Sequence, residues 1–226
     1  MASNAKEYQK AIQYLCNKMQ DGTIQLGDRL PTERALAEEL EISRPSTREA
    51  LRTLENMGII ESRRGSGSYF TGNISKKLSE MIRLFLMLQL VTPQDICDFR
   101  RTMEKSACQS IIDRGSFDIS ELTNVLSAPV QGILEEAEQD RQFHYLLVQA
   151  SRNHFWIAIM DAVCDVYRDW VTTALECADS HQKQQLHSAH MAMLSSLQNG
   201  NRSACDQAID LHYDLIDRLL SDHLSI

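Results

Sequence analysis

The hydrophobic pattern of the chain changes near residue 72. Before this point, short helical patterns precede two strand-like stretches, at 58–62 and 68–71. From residue 74 onward, apolar positions recur with helical spacing, and we find no strand pattern. A small mixed domain at residues 1–72 and an all-α bundle at residues 73–226 are therefore predicted. The bundle should contain six or seven helices, at about 75–90, 93–113, 118–127, 133–151, 154–178, 181–198 and 202–223.

Two short helices joined by a tight turn are predicted in the first domain. Thr32 is a suitable N-cap for the first helix, on which we expect Ala35, Leu36 and Leu40 to face inward. Ser43 is a suitable N-cap for the second helix, which should run to about residue 57. Such a pair, with polar residues at the start of its second helix, is typical of the helix-turn-helix that enters the major groove of DNA.

Basic residues favour the same interpretation. Arg44, Arg48 and Arg52 share one face of the second helix, and arginine can pair bidentately with guanine edges. A merely solvated basic face is the alternative. The next segment favours DNA binding, because Arg-Arg-Gly-Ser-Gly at 63–67 joins the two predicted strands as a basic hairpin tip suited to phosphates or a narrow minor groove. A helix-turn-helix followed by a basic hairpin is a winged helix.

Three stretches of this domain resemble the GntR family of bacterial transcription regulators. They are GDRLPTERALA at 27–37, SRPSTREALRTL at 43–54 and GSGSYF at 65–70. Glu41 departs from the family pattern, in which a glycine usually eases the turn. Helix-turn-helix proteins commonly bind a palindromic double-stranded operator as homodimers, which we expect here. The resemblance implies that the DNA-contacting residues are Arg34, Ser43, Arg44, Ser46, Arg48, Gly65 and Gly67.

Composition agrees with a two-domain DNA-binding protein. The formal charge of −8 falls entirely after residue 72, because the first 72 residues carry ten basic and ten acidic side chains. An acidic second domain is compatible with DNA binding if it lies away from the duplex. The chain has six cysteines without a C-x-x-C motif, no signal peptide, and an apolar run at 82–91 that is too short to span a bilayer. We therefore expect a cytoplasmic protein with no membrane association.

A metal site is predicted in the second domain. Asp140 and His144 are four residues apart on a predicted helix and could share a metal, although a solvated Asp beside a partly exposed His is the alternative. His190 and His212 lie on later helices that could surround the first. Three imidazoles and a carboxylate suit zinc, nickel or manganese. His187, one turn before His190, is a rival ligand.

The same segments resemble the FCD ligand domain of the FadR subfamily. The similar stretches are D-x-x-F-H-x-x-L-x-x-A-S-x-N at 140–153, the spaced His190 and His212, and FRRTME at 99–104. The resemblance implies that Asp140, His144, His190 and His212 hold a divalent metal ion, which coordinates the carboxylate of a small organic acid effector. It also implies that Arg100 and Asn153 contact the effector or support the site.

Three functions are compatible with these features. The favoured one is a regulator whose operator binding is modulated by a small carboxylate at the metal, with repression released by the effector as the commoner family mode. The second is a DNA-binding protein with a purely structural metal or a metal-free effector cavity. The third is a metal-dependent hydrolase in which the metal activates water. We expect that the protein is not an enzyme, because no general base or nucleophile motif accompanies the metal ligands. A hydrolase function would also leave the winged-helix domain at residues 1–72, the head, unexplained.

Overall fold

The computed structural model describes residues 2–115 and 118–221. The chain forms two compact units, Met1–Leu78 and Ser79–Ile226. The boundary between these units falls within a helix, α4 (Ile74–Met87). Each unit has its own hydrophobic core.

The first unit has the predicted winged helix-turn-helix architecture. Its two strands pair antiparallel, with Ile60 opposite Phe70 and Arg63 opposite Gly67. Arg29 adds an isolated bridge to Tyr69. The elements before α4 are α1 (Ala2–Gln20), α2 (Glu33–Leu40), α3 (Arg44–Asn56), β1 (Ile60–Arg63) and β2 (Gly67–Phe70).

The predicted caps fix the starts of α2 and α3. Thr32 accepts a hydrogen bond from the backbone N–H of Ala35 at 3.2 Å, and Ser43 accepts one from Ser46 at 3.3 Å. The buried face of α2 consists of Leu36, Ala37 and Leu40. The expectation that Ala35 faces inward is wrong: the helix rotates by about 100° per residue, which turns Ala35 to solvent and buries Ala37 instead.

The turn between α2 and α3 depends on Glu41. This residue is the C-cap of α2 and has φ 52° and ψ 46°, in the left-handed region. Its backbone N–H bonds to the carbonyl oxygens of Ala37 and Glu38. A side chain in this conformation costs roughly 1–2 kcal/mol, which glycine avoids. The departure from glycine noted in the sequence therefore leaves the turn intact but strained.

The second unit is all helical among the described residues, as predicted. α4 is followed by α5 (Pro93–Arg114), α6 (Ser120–Ser127), α7 (Ile133–Gln149), α8 (His154–Cys177), α9 (Ser180–Gln198) and α10 (Arg202–Ser221). All seven predicted helices are confirmed, although residues 222 and 223 of the last prediction lie outside the described residues. Within the described ranges, none of the helices is long and apolar enough to cross a membrane.

The helices of the bundle enclose one large and one smaller cluster of buried apolar side chains. α7 packs along α8, α9 packs along α10, and α5 contacts α7, α8 and α10. Phe143, Leu147, Ile209 and Ile216 are completely buried between them. The same core also buries a group of polar and charged side chains, namely Arg100, Glu104, Asp140, His144, His190 and His212. Burying so many ionisable groups is costly unless they pair with one another or with a ligand.

Candidate nucleic-acid interface and metal centre

The predicted DNA-facing arginines are exposed. Arg44 and Arg48 project from α3, and Arg64 lies at the hairpin tip. Nε of Arg34 on α2 lies 3.8 Å from Oε1 of Glu38 in an exposed ion pair. Such a pair contributes little stability, so Arg34 can exchange its partner for a phosphate.

Ser46 is placed differently from the other predicted DNA contacts. It is fully buried, and its hydroxyl donates to the carboxylate of Glu7 at 3.0 Å. The Ser43 hydroxyl donates to Ser46 at 2.9 Å, and the Ser43 backbone N–H donates to Glu7 at 3.1 Å. These bonds from Ser43 and Ser46 lower the pKa of Glu7. A direct DNA contact by the Ser46 side chain would require this network to open.

The two predicted wing glycines have different surroundings. Gly65 has φ 74°, and a Cβ there would meet no atom of the described residues within 4 Å, which leaves room for a close approach of a partner. Gly67 has φ 107°, and a Cβ there would lie 2.8 Å from Nε of Arg29. Arg29 therefore lies against the wing and is a further basic residue of this face, which sequence reasoning missed. Its position just before the Leu-Pro-Thr-Glu-Arg stretch gave no indication of this contact.

The four predicted metal ligands converge in the bundle. One ligand atom from each of Asp140, His144, His190 and His212 lies within 4.8 Å of the others. Nε2 of His144 lies 3.1 Å from Nε2 of His212 and 3.2 Å from Nε2 of His190. Oδ1 of Asp140 lies 3.5 Å from His144 Nε2 and 3.4 Å from His190 Nε2. α7 supplies the first two residues one turn apart, and α9 and α10 supply the others.

This arrangement fits a divalent metal. Metal–nitrogen bonds of about 2.0–2.1 Å place two nitrogens on one ion roughly 3.0–3.4 Å apart, which agrees with the observed spacing. Oδ2 of Asp140 and Nδ1 of His212 are buried without a hydrogen-bond partner among the described residues. Clustered ring nitrogens and an incompletely paired carboxylate are a donor set that a cation would stabilise.

The protonation states of the histidines differ. Burial, together with the neighbouring His190 and His144, holds the pKa of His212 well below its ordinary value. Burial also lowers the pKa of His190, against the opposing charge of Asp140. The charges of Glu104 and Asp140 outweigh the effect of burial on His144 and raise its pKa to about 9. The carboxylates of Glu104 and Asp140 thus favour a positive charge at His144, carried by a proton or by a cation that displaces it, and the other two positions present neutral imidazoles.

Glu104 supports the site from α5. Its carboxylate accepts a hydrogen bond from Nδ1 of His144 at 2.8 Å and another from the hydroxyl of Tyr213 at 2.6 Å. This contact orients the His144 ring so that Nε2 faces the other ligands. Sequence reasoning missed both supporting residues. The spacing of Arg100 and Glu104, one helical turn apart, could have indicated that Glu104 shares a face of α5 with Arg100.

Arg100 lies beside this supporting carboxylate. Its side chain is 1% exposed, and Nη2 lies 3.7 Å from Oε1 of Glu104. The guanidinium lies 4.2 Å from the centre of the Tyr167 ring. Nε and Nη2 have no hydrogen-bond partner among the described residues. A buried guanidinium with unused donors is suited to an anionic ligand.

Asn153 and His187, which the sequence also suggested for this site, are not among the four clustered ligands. Asn153 is the N-cap of α8, and its side-chain oxygen accepts hydrogen bonds from the backbone N–H groups of Phe155 and Trp156. This capping role is structural, so an effector contact by Asn153 stays a prediction. His187 is exposed one turn before the buried His190, and it is not part of the four-residue cluster.

Each of the two units matches a known protein family. Residues 7–70 match the family of bacterial regulatory proteins, gntR family, and residues 95–215 match the FCD domain. The HTH-type transcriptional regulator LutR of Bacillus subtilis (strain 168) is 24% identical over 213 residues, covering 91% of this chain and 97% of LutR. The Glc operon transcriptional activator of Escherichia coli (strain K12) is 29% identical over 220 residues, covering 90% and 86%.

A solved structure shows the same fold. Streptococcus agalactiae GntR superposes with a TM-score of 0.68 at 20% identity, covering 93% of this chain and 99% of that one. The structural match spans both units, as do the two family matches taken together. From its DNA-binding head to its helical bundle, the chain therefore belongs to the gntR family of bacterial regulatory proteins and carries an FCD domain.

Proposed function

We propose that this transcriptional regulator is a homodimeric sensor of a small organic acid, which it binds at a divalent metal in the FCD domain. Metal-dependent effector binding would change its affinity for a palindromic operator. The observation that carries the proposal is the convergence of Asp140, His144, His190 and His212 on one buried point. Isolated histidines are common in helices, but three ring nitrogens and a carboxylate from three different helices rarely meet in a core without a ligand.

The donor set suggests which ion and which ligand. Zinc, nickel and manganese all accept three imidazoles and a carboxylate. When bound, such an ion would offer its remaining coordination positions to the carboxylate of a small acid. Arg100 supports the assignment to an anion, since its buried guanidinium retains donors that have no partner in the described part of the chain. Glu104 would hold His144 in the orientation that ligand binding requires.

The DNA-binding part of the proposal rests on the exposed face of the head. We assign residues 1–72 to the DNA-binding domain, with Arg44 and Arg48 on α3 and the wing glycines facing the duplex. Two heads in a homodimer would contact two half-sites related by two-fold symmetry. The effector can shift operator binding only by the difference between its affinities for the DNA-bound and free forms.

We assign the protein as a repressor that the effector releases. The opposite role also occurs among the relatives, because one of them is named a transcriptional activator. A repressor should bind its operator most tightly without effector and lose affinity when the effector is added. Tighter operator binding in the presence of effector would instead make it an effector-dependent binder of DNA, and would contradict this direction of response.

The test begins by selecting the operator from random duplex DNA. A panel of small carboxylic acids, including 2-hydroxy acids, is then added to the metal-loaded protein bound to that operator. We expect one acid to change operator affinity by roughly 5- to 150-fold, the usual range of coupling between two sites. The same acid should have no effect after chelation or on a His190→Ala variant. A shift that persists without the metal would contradict the proposed sensing mechanism.

A further inference from the structure

An ion pair joins the recognition helix to the helix before it. Nε of Arg48 donates to Oε2 of Glu33 at 2.9 Å, and Nη2 donates to Oε1 at 2.6 Å. The two side chains therefore meet as a bidentate fork, the most directional form of an arginine–carboxylate contact. Glu33 is the first residue of α2, and Arg48 lies on α3.

This pairing occupies only one edge of the guanidinium. Arginine carries five N–H donors in a plane, and the contact with Glu33 uses the Nε edge together with one donor of Nη2. The outer edge, formed by Nη1 and the second donor of Nη2, has no protein acceptor among residues 2–115 and 118–221. The Arg48 side chain is 55% exposed, so this edge is accessible, whereas Glu33 is 29% exposed.

Other arginines line the same cavity as Glu33. A cavity of about 360 Å³ between the helices and the wing is lined by Glu33, Arg29, Arg48 and Arg52. Glu33 makes its ion pair with Arg48, the arginine whose position on α3 suits contact with a base edge. The Glu33 carboxylate thus holds the side chain of Arg48 within this basic region.

We propose that Glu33 is a positioning residue for base recognition, which presents the outer edge of Arg48 to a guanine and cancels its charge. The inference rests on the proposed reading of DNA by Arg48. Two donors on that edge match the O6 and N7 acceptors of guanine. A neutralised Arg48 gains little from phosphates, which attract cations at every sequence. Glu33 would therefore lower affinity for random DNA and raise discrimination for the operator.

The experiment compares Glu33→Gln with a matched control, Glu38→Gln. Both changes remove one negative charge from α2, but Glu38 pairs loosely with Arg34, at 3.8 Å. Binding sites are selected from a library of random duplexes with the wild-type protein and each variant. Affinity for the selected site and for random DNA is measured across salt concentrations. Arg48→Ala identifies the base pair whose guanine preference depends on Arg48.

The proposal predicts opposite changes in affinity and specificity for Glu33→Gln. Affinity for random DNA should rise, and the slope of log K against log salt should steepen by up to about one unit. The guanine preference assigned to Arg48 should fall roughly 10-fold, within the usual value of a bidentate base contact. Glu38→Gln should leave that preference unchanged. Glu33→Asp, which keeps the charge but shortens the side chain, should weaken the preference without strengthening binding to random DNA.

Other results would overturn the inference. An unchanged guanine preference in Glu33→Gln would show that Glu33 does not position Arg48. Equal losses of affinity for all sequences, together with a lower melting temperature, would show a purely structural ion pair. In both cases, operator selection by the wild-type protein would leave the proposed function standing. Failure of the wild-type protein to select any sequence would instead refute the proposed function itself.

Discussion

The carboxylate of Glu104 lies 2.8 Å from Nδ1 of His144, with both side chains completely buried. Because the carboxylate accepts the proton on Nδ1, the opposite nitrogen, Nε2, faces His190 and His212. Glu104 also accepts a hydrogen bond from Tyr213 at 2.6 Å. The orientation of one proposed metal ligand is thus fixed by a residue on another helix.

Glu104→Gln should weaken metal binding without removing a ligand. The amide is a poorer acceptor for the Nδ1–H of His144, and loss of such supporting contacts typically costs about 10- to 100-fold in metal affinity. Competition with a chromophoric chelator measures the change. Glu176→Gln on the exposed face of α8 is the control and should bind metal as the wild type does. Equal affinity in both variants would mean that Glu104 does not orient the ligand.

The core of the bundle can be tested with two leucines on α7. Leu147 is completely buried, whereas Leu134 is 77% exposed. Leu147→Ala should lower the free energy of unfolding by about 2–5 kcal/mol, through lost burial and the cavity left behind. Leu134→Ala should change it by less than about 0.5 kcal/mol. Urea titration measures both. Similar losses for the two variants would contradict the different burial of these leucines.

The strained turn after α2 predicts a stabilising substitution. Glu41 has φ 52°, so Glu41→Gly should raise the free energy of unfolding of the head by about 0.5–1 kcal/mol, because the relieved strain exceeds the extra conformational entropy that glycine loses on folding. Glu38→Gly, within the regular part of α2, should have the opposite sign and lower it by about 1 kcal/mol. Denaturant unfolding of the two variants decides the sign. A destabilised Glu41→Gly variant would show that the turn is not strained.

Two arginines of the head should act differently on DNA. Arg48→Ala should cost about 1–3 kcal/mol in operator binding and relax the base preference at one position, if Arg48 contacts a base edge. Arg64→Ala at the wing tip should weaken binding to all sequences and reduce the salt slope by about one unit, as expected for a phosphate contact. Fluorescence anisotropy on operator and random duplexes separates the two effects. An unchanged operator affinity and preference in Arg48→Ala would remove it from the proposed contacts.

Local sequence patterns were sufficient for the helices and the hairpin. Several helix starts are marked by residues whose side chains cap them, such as Thr92, which forms a capping box with Asp95, and Asp179, which forms one with Gln182. The strands are set by the glycine-rich tip between them. These features act over a few residues, so the sequence reveals them directly.

The candidate site was only partly predictable. Spacing on one helix placed Asp140 near His144, but the approach of His190 and His212 depends on how α9 and α10 pack, which spacing does not determine. Ser46 illustrates the converse limit. The family resemblance implies a DNA contact for Ser46, whereas tertiary contact with Glu7 buries its hydroxyl, and the DNA contact stays a prediction. Long-range packing determines the surroundings of these residues.

Metal content tests the central claim most directly. The purified protein is supplied with zinc, nickel or manganese, desalted and analysed for bound metal beside the variants His190→Ala and His187→Ala. The two histidines lie one turn apart on α9, but only His190 belongs to the buried cluster. We predict about one divalent ion per chain in the wild type and in His187→Ala, and loss of that ion in His190→Ala. Absence of metal from all three proteins, or full occupancy in His190→Ala, would contradict the proposed metal centre.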